Sequence, residues 1–165
     1  MEPRDILKTV PFFSEVLDAD EIEALSSKAY FLKFPKDATP IEEDGPGHAM
    51  FVIVSGEAVV TVFGEDKPVA RLGKGDIVGE MSLLTGARRS ATVTAATRLE
   101  AIEISKEALA HVLAKSPSLV DRFVEMLHKR QRELDKLTGG NAWGMLRPGK
   151  AELAGMIHSF FGRTE

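Results

Sequence analysis

The chain has 165 residues, of which 44% are hydrophobic and 28% charged, and its formal net charge at pH 7 is −4. Such a length and composition are typical of a globular chain with a real core, one domain and a little more. The absence of cysteine excludes disulfides, thiolate metal sites and cysteine nucleophiles, and the acidic balance argues against a nucleic-acid-binding surface, which needs a concentrated basic face.

Helical patterns open the chain. We predict short helices over residues 5–10 and 20–28, on either side of the Pro11-Phe12-Phe13 corner, with Asp18 or Asp20 as the N-cap of the second. Residues 1–28 are therefore predicted to form a helical bundle that covers one end of a sheet.

The hydrophobic period then changes to that of strands. Alternating apolar runs end repeatedly at glycine, proline or acidic turns, as in Gly73-Lys74-Gly75-Asp76. The predicted strands are residues 30–34, 50–54, 57–63, 69–72, 90–95 and 99–104. Short strands at near-regular spacing predict an antiparallel β-roll or jelly-roll barrel over residues 29–104, within a mainly β chain with flanking helices (α+β).

Two helices are predicted after the barrel. The first begins at Ser105-Lys106-Glu107, and the second restarts at Ser116-Pro117 and runs to about residue 137, with apolar residues at three- and four-residue intervals. The predicted domain therefore covers residues 1–138, with residues 105–138 as its C-terminal helices. A tail over residues 139–165 carries a short amphipathic piece.

One segment, residues 79–93, combines features suited to a phosphorylated sugar. Gly79 allows close backbone approach and Glu80 offers a carboxylate acceptor for hydroxyls. Arg89 offers a fixed fork of donors that suits a phosphate, and Ser90 adds a hydroxyl. Backbone amides supply further donors, and they belong to the short turn and to the Arg-Ser-Ala run. These amides include those of Met81, Ser82, Ser90 and Ala91.

This segment resembles the phosphate-binding cassette of the cyclic-nucleotide-binding domain family, which includes the catabolite gene activator, cyclic-nucleotide-gated channels and regulatory subunits of protein kinase A. The family pattern is Gly-Glu, an apolar turn, a spacer and Arg-x-Ala. Here Val78 stands where the family usually has Phe, and Arg88 where it often has Pro. The resemblance covers roughly residues 6–137.

The resemblance implies a role for each cassette residue. Glu80, with the Gly79 backbone beside it, would accept the ribose 2′-hydroxyl, and Arg89 would hold the cyclic phosphate together with Ser90 and the amide of Ala91. The last helix would act as a lid over the base, where Arg130 could stack on a purine. The implied ligand is cAMP or cGMP, without a cofactor or a catalytic residue.

These features predict a sensor rather than an enzyme. No apolar run approaches the roughly 18 residues of a membrane span and no signal peptide opens the chain, so we expect a cytoplasmic module with no membrane segment of its own. Fusion or binding to a channel or other effector, and a homodimer through the last helix, remain open from the sequence.

Two other functional classes also remain open. One is an interaction module that keeps the fold but has lost its ligand. The other is a metal-dependent cupin-type enzyme, which the scattered positions of the four histidines support poorly.

Overall fold

The computed structural model describes residues 2–45, 49–80, 83, 89 and 91–138, with side chains described as far as residue 129. Three short helices come first: α1 Pro3–Leu7, α2 Pro11–Ser14 and α3 Ala19–Ser26. Seven strands follow: β1 Tyr30–Phe34, β2 Ala49–Ser55, β3 Ala58–Thr61, β4 Ala70–Leu72, β5 Ile77–Val78, β6 Thr92–Ala95 and β7 Leu99–Ser105. Two helices end the described part: α4 Lys106–Lys115 and α5 Leu119–Thr138.

The strands form two antiparallel sheets. One has the order β1-β7-β2-β5 and the other the order β4-β3-β6. This arrangement confirms the predicted antiparallel β-roll with flanking helices.

Alternation along β2 explains why the four-stranded sheet is covered on both sides. Met50 and Val52 belong to a core shared with the helices, whereas Phe51 and Ile53 belong to a second core between the two sheets. Successive side chains of a strand point to opposite faces, so a strand that is apolar at every position is buried on both. The helices therefore pack outside the roll, and its inner core lies next to the cassette.

The N-terminal helices differ in detail from the prediction. Pro11 begins a helix, α2, where the sequence predicted a corner, because proline at the first helical position needs no amide hydrogen bond. Asp18 is the N-cap of α3, with its carboxylate 2.8 Å from the Glu21 amide and the Glu21 carboxylate 2.8 Å from the Asp18 amide. This reciprocal capping box decides between the two predicted caps.

Helix α5 begins at Leu119, two residues later than predicted from Ser116-Pro117. Its first turns pack on the N-terminal helices: the rings of Phe123 and Phe12 lie 5.5 Å apart, and Arg122 Nη1 donates to the Val16 carbonyl oxygen at 3.1 Å. Leu119 and Phe123 are fully buried. The apolar stripe of α5 is therefore core packing as far as the described side chains extend.

Candidate functional site

Gly79 directly follows β5 and is the first residue of the cassette. Its φ is +88°, a conformation that costs a residue with a Cβ roughly 1–2 kcal/mol. The Gly79 carbonyl oxygen accepts a hydrogen bond from the Leu83 amide at 3.1 Å, and Leu83 is fully buried in the helix-side core. The turn that begins at Glu80 is thus anchored to the core of the domain.

Arg89 is buried, with 8% of its surface exposed. Its Nη1 atom donates to the Gly79 carbonyl oxygen at 3.1 Å and its Nη2 atom donates to the Ala49 carbonyl oxygen at 2.5 Å. A Cβ atom at Gly79 would lie 2.6 Å from Arg89 Nη1. The guanidinium therefore lies directly against the backbone of Gly79. This contact is expected if Gly79 and Arg89 belong to one binding site.

Burial and charge act in opposite directions on Arg89. Desolvation lowers the pKa of its guanidinium below the usual value, and the carboxylate of Glu80 acts to raise that pKa. The structure therefore brings together the predicted hydroxyl acceptor, Glu80, and the predicted phosphate donor, Arg89.

The backbone of Arg89 is held by the loop between β1 and β2. The Arg89 amide donates to the Gly45 carbonyl oxygen at 2.9 Å, and the Asp44 amide donates to the Arg89 carbonyl oxygen at 2.7 Å. Asp44 has a positive φ of 67°, so the chain reverses at this point. Both backbone groups of the arginine are paired with one short turn.

The core between the two sheets provides an apolar surface near the cassette. Ala91, another predicted site residue, is buried in this core. A small apolar cavity also lies between the two sheets, and it is lined by Phe34, Pro40, Phe51, Ile53, Ala58, Val78, Val93, Leu99 and Ala101. An apolar surface beside a buried cation suits a ligand with an aromatic base and an anionic group.

The structure does not describe the side chains of four predicted site residues. Met81, Ser82 and Ser90 lie outside the described residues, and so does the tail over 139–165. Arg130 lies on α5, but its side chain is not among those described. Their roles in ligand binding stay predictions.

Ala49 and Gly45 are neighbours of the arginine that could not be identified from the sequence. Both contribute a backbone carbonyl, and such a group leaves no residue-type signal in a sequence. The contacts depend on how β2 and the preceding loop lie against the cassette, which follows from tertiary packing.

The described residues contain neither a candidate metal site nor a candidate membrane span. No group of three or more His, Asp or Glu residues there could hold a metal ion. Among the described helices, none is both long enough and apolar enough to cross a membrane.

A sequence model of the family described as "Cyclic nucleotide-binding domain" matches residues 31–116. The chain is 33% identical over 122 residues to a "cAMP-dependent protein kinase regulatory subunit" of Neurospora crassa, a match that covers 74% of this chain and 30% of that protein. It is 25% identical over 131 residues to a "CRP-like cAMP-activated global transcriptional regulator" of Mycobacterium tuberculosis, with 78% of this chain and 58% of that protein covered. The chain thus matches less than two thirds of the length of either relative.

Solved structures show the same fold. The structure entitled "cAMP bound PfPKA-R (141-441)" has a TM-score of 0.67 at 22% identity. The match covers 84% of this chain and 47% of that one. A "regulatory subunit of a cAMP-independent protein kinase A" from Trypanosoma brucei has a TM-score of 0.66 at 24% identity. That match covers 79% of this chain and 46% of the other. The family match over residues 31–116, more than half of the chain, shows that the chain belongs to the cyclic nucleotide-binding domain family.

Proposed function

We propose that this chain binds a cyclic purine nucleotide and acts as a regulatory sensor rather than an enzyme. In this proposal the guanidinium of Arg89 binds the cyclic phosphate and the carboxylate of Glu80 accepts a hydrogen bond from the ribose 2′-hydroxyl. Gly79, Met81, Ser82, Ser90 and Ala91 line the same cassette.

The observation that carries the proposal is the buried guanidinium of Arg89. A cation with 8% of its surface exposed is costly unless strong acceptors surround it, and the two carbonyl oxygens at 2.5 and 3.1 Å are neutral acceptors. An anionic phosphate is a stronger partner, and its fixed geometry suits two parallel N–H donors. Glu80 beside this cation supplies the acceptor that a ribose hydroxyl needs.

The break in the chain before α5 supports a conformational output. Helix α4 ends at Lys115 and α5 begins at Leu119, so a short break lies between them. A ligand that favours one position of α5 over another would shift the population toward it. We propose that the later turns of α5, including Arg130, cover the base; a homodimer through this helix stays a prediction.

The names of the relatives support a regulatory role. The matched Neurospora crassa protein is a kinase regulatory subunit and the matched Mycobacterium tuberculosis protein is a cAMP-activated transcriptional regulator. We propose that cAMP binds at least as tightly as cGMP. Ser90 offers a hydroxyl for a guanine amino group, but it lacks the methyl group that would hold the hydroxyl in one rotamer.

A second candidate is an interaction module of the same fold that does not bind cyclic nucleotides. Both Nη atoms of Arg89 already donate to backbone carbonyls, so the site is held together without a ligand. One structural neighbour is moreover named as part of a cAMP-independent kinase.

Calorimetric titration separates the two candidates. The proposal predicts saturable heats with cAMP and cGMP and a much weaker response to 5′-AMP, because the opened phosphate is larger and more highly charged than the cyclic phosphodiester. Flat titrations with both cyclic nucleotides, on a chain whose circular dichroism spectrum and thermal transition show it to be folded, would contradict the proposal and leave the second candidate.

A further inference from the structure

A short turn between β1 and β2, residues 42–45, holds the arginine of the proposed site. We call it the 42–45 turn. Its Asp44 amide and Gly45 carbonyl pair with both backbone groups of Arg89, at 2.7 and 2.9 Å. The direction in which the Arg89 side chain leaves the backbone therefore depends on where this turn lies.

Two side-chain hydrogen bonds fix the 42–45 turn to the three-stranded sheet. The hydroxyl of Thr92, in β6, accepts a hydrogen bond from the Glu43 amide at 2.9 Å. The carboxylate of Glu43 accepts one from the Phe63 amide at 2.8 Å, just beyond β3. These bonds span 49 and 20 residues of sequence, so they set tertiary position and not local turn geometry.

We propose that Thr92 and Glu43 are positioning residues for ligand binding, which act through the 42–45 turn on the backbone of Arg89. This inference rests on the proposed function for its link to nucleotides, but its structural part stands apart from any ligand. A binding group has to be held within about 0.5 Å of its productive position by the residues that support it. Here the support is the hydroxyl of Thr92, at the end of the 79–93 segment, and the carboxylate of Glu43, which lies outside that segment.

Strand β6 offers a matched pair of residues for the test. Thr92 and Thr94 are both half-buried and lie two positions apart on one face of the strand, opposite Thr61 and Val59 of β3. Thr92→Val replaces the accepting hydroxyl by a methyl group and keeps the β-branched shape that suits a strand. Thr92→Ser keeps the hydroxyl, and Thr94→Val makes the same change away from the turn.

The first measurement is amide hydrogen exchange of Arg89 and Asp44, followed by NMR without nucleotide. Thr92→Val leaves the half-buried amide of Glu43 without its acceptor and so loosens the turn. We expect exchange of the Arg89 and Asp44 amides to become about tenfold faster, the factor that corresponds to one such unpaired donor. Thr92→Ser and Thr94→Val should exchange as the native chain does. Unchanged exchange in Thr92→Val, or equal acceleration in Thr94→Val, would overturn the positioning role.

The second measurement is cAMP affinity in a double-mutant cycle. Thr92→Val should weaken binding several-fold in the native chain and have much less effect in the Arg89→Ala chain, because its influence passes through that arginine. Equal losses in both backgrounds would overturn the inference.

Two further outcomes keep the inference and the proposed function distinguishable. If the native chain binds no cyclic nucleotide, the proposed function fails while the exchange experiment still decides the structural claim. If Thr92→Val does not fold, Glu43→Ala against Glu43→Gln repeats both measurements, since glutamine keeps an acceptor oxygen for the Phe63 amide.

Discussion

The guanidinium of Arg89 donates from Nη2 to the carbonyl oxygen of Ala49, 2.5 Å away and 40 residues earlier in the chain. Ala49 begins β2 and pairs with Ser105 at the end of β7. The hydroxyl of Ser105 in turn accepts a hydrogen bond from the Ala108 amide and caps α4. A phosphate that draws Arg89 away from Ala49 would therefore release a contact at the strand end next to the C-terminal helices.

Replacement of Gly79 by alanine tests how closely the cassette backbone approaches the arginine. The added Cβ would lie 2.6 Å from Arg89 Nη1, so the guanidinium has to move. We expect cAMP affinity, measured by calorimetry, to fall by about tenfold or more, since the charge-assisted contacts to phosphate lose their geometry.

Gly75→Ala is the matched control for that change. Gly75 has the same φ of +88°, but a Cβ there would meet no heavy atom within 4 Å. Both variants should lose stability through backbone strain, and Gly79→Ala should lose more because its Cβ would also lie 3.1 Å from Ile41 Cδ1 and 3.2 Å from the Ala49 carbonyl oxygen. Only Gly79→Ala should lose affinity. Equal affinities for the two variants would show that Gly79 does not set the position of Arg89.

Glu80→Gln tests the proposed bond to the ribose. Glutamine keeps an acceptor oxygen but loses the negative charge, so the binding free energy should weaken by about 1–2 kcal/mol. A 2′-deoxy analogue of cAMP should show a similar loss with the native chain and little further loss with Glu80→Gln. Losses that simply add in a calorimetric cycle would show that Glu80 and the 2′-hydroxyl are not partners.

The sequence predicted those parts of the structure that have a clear residue-type pattern. Alternating apolar residues predicted most of the sheet, and Gly-Glu with Arg-Ser-Ala predicted a site in which Glu80 and Arg89 come together. Helix α2 and the late start of α5 were missed because proline permits either a corner or a first helical turn.

The supporting contacts of the site could not be predicted in the same way. The carbonyls of Ala49 and Gly45 carry no residue-type signature, and the hydroxyl of Thr92 meets the Glu43 amide only after a separation of 49 residues is closed by folding. Long-range pairing of this kind depends on the assembled sheets.

Gly56→Ala tests a close approach in the fold away from the ligand site. Gly56 has a φ of +91°, and a Cβ there would lie 2.2 Å from the Arg98 carbonyl oxygen, a backbone atom that cannot swing aside. Gly64 has the same φ with no heavy atom within 4 Å of a Cβ. In urea unfolding, Gly64→Ala should therefore report the strain alone, about 1–2 kcal/mol, and Gly56→Ala should be clearly less stable. A difference below the error of the two midpoints would contradict this close contact.

Removal of residues 130–165 tests whether the end of α5 serves as a lid. Removal of the whole helix, by truncation at Ser118, is unsuitable for this test. It would also remove Leu119 and Phe123, which are fully buried, and so damage the core. The longer chain, ending at Lys129, should stay folded and should bind cAMP more weakly with faster release, measured by stopped-flow displacement.

A chain that ends at Thr138 is the control for this truncation, because it keeps the whole of α5. It should bind as the native chain does. Unchanged affinity and release rate in the chain ending at Lys129 would show that the end of α5 does not cover the base.

The most direct measurement of the central claim is cAMP affinity in Arg89→Ala compared with Arg88→Ala. Loss of a bidentate contact to a desolvated phosphate should weaken binding by about 30- to 1000-fold, or about 2–4 kcal/mol, in Arg89→Ala. Arg88→Ala should have a much smaller effect, and both variants should retain the native circular dichroism spectrum. Equal or reversed affinities in two folded variants would contradict the assignment of Arg89 as the residue that binds the phosphate.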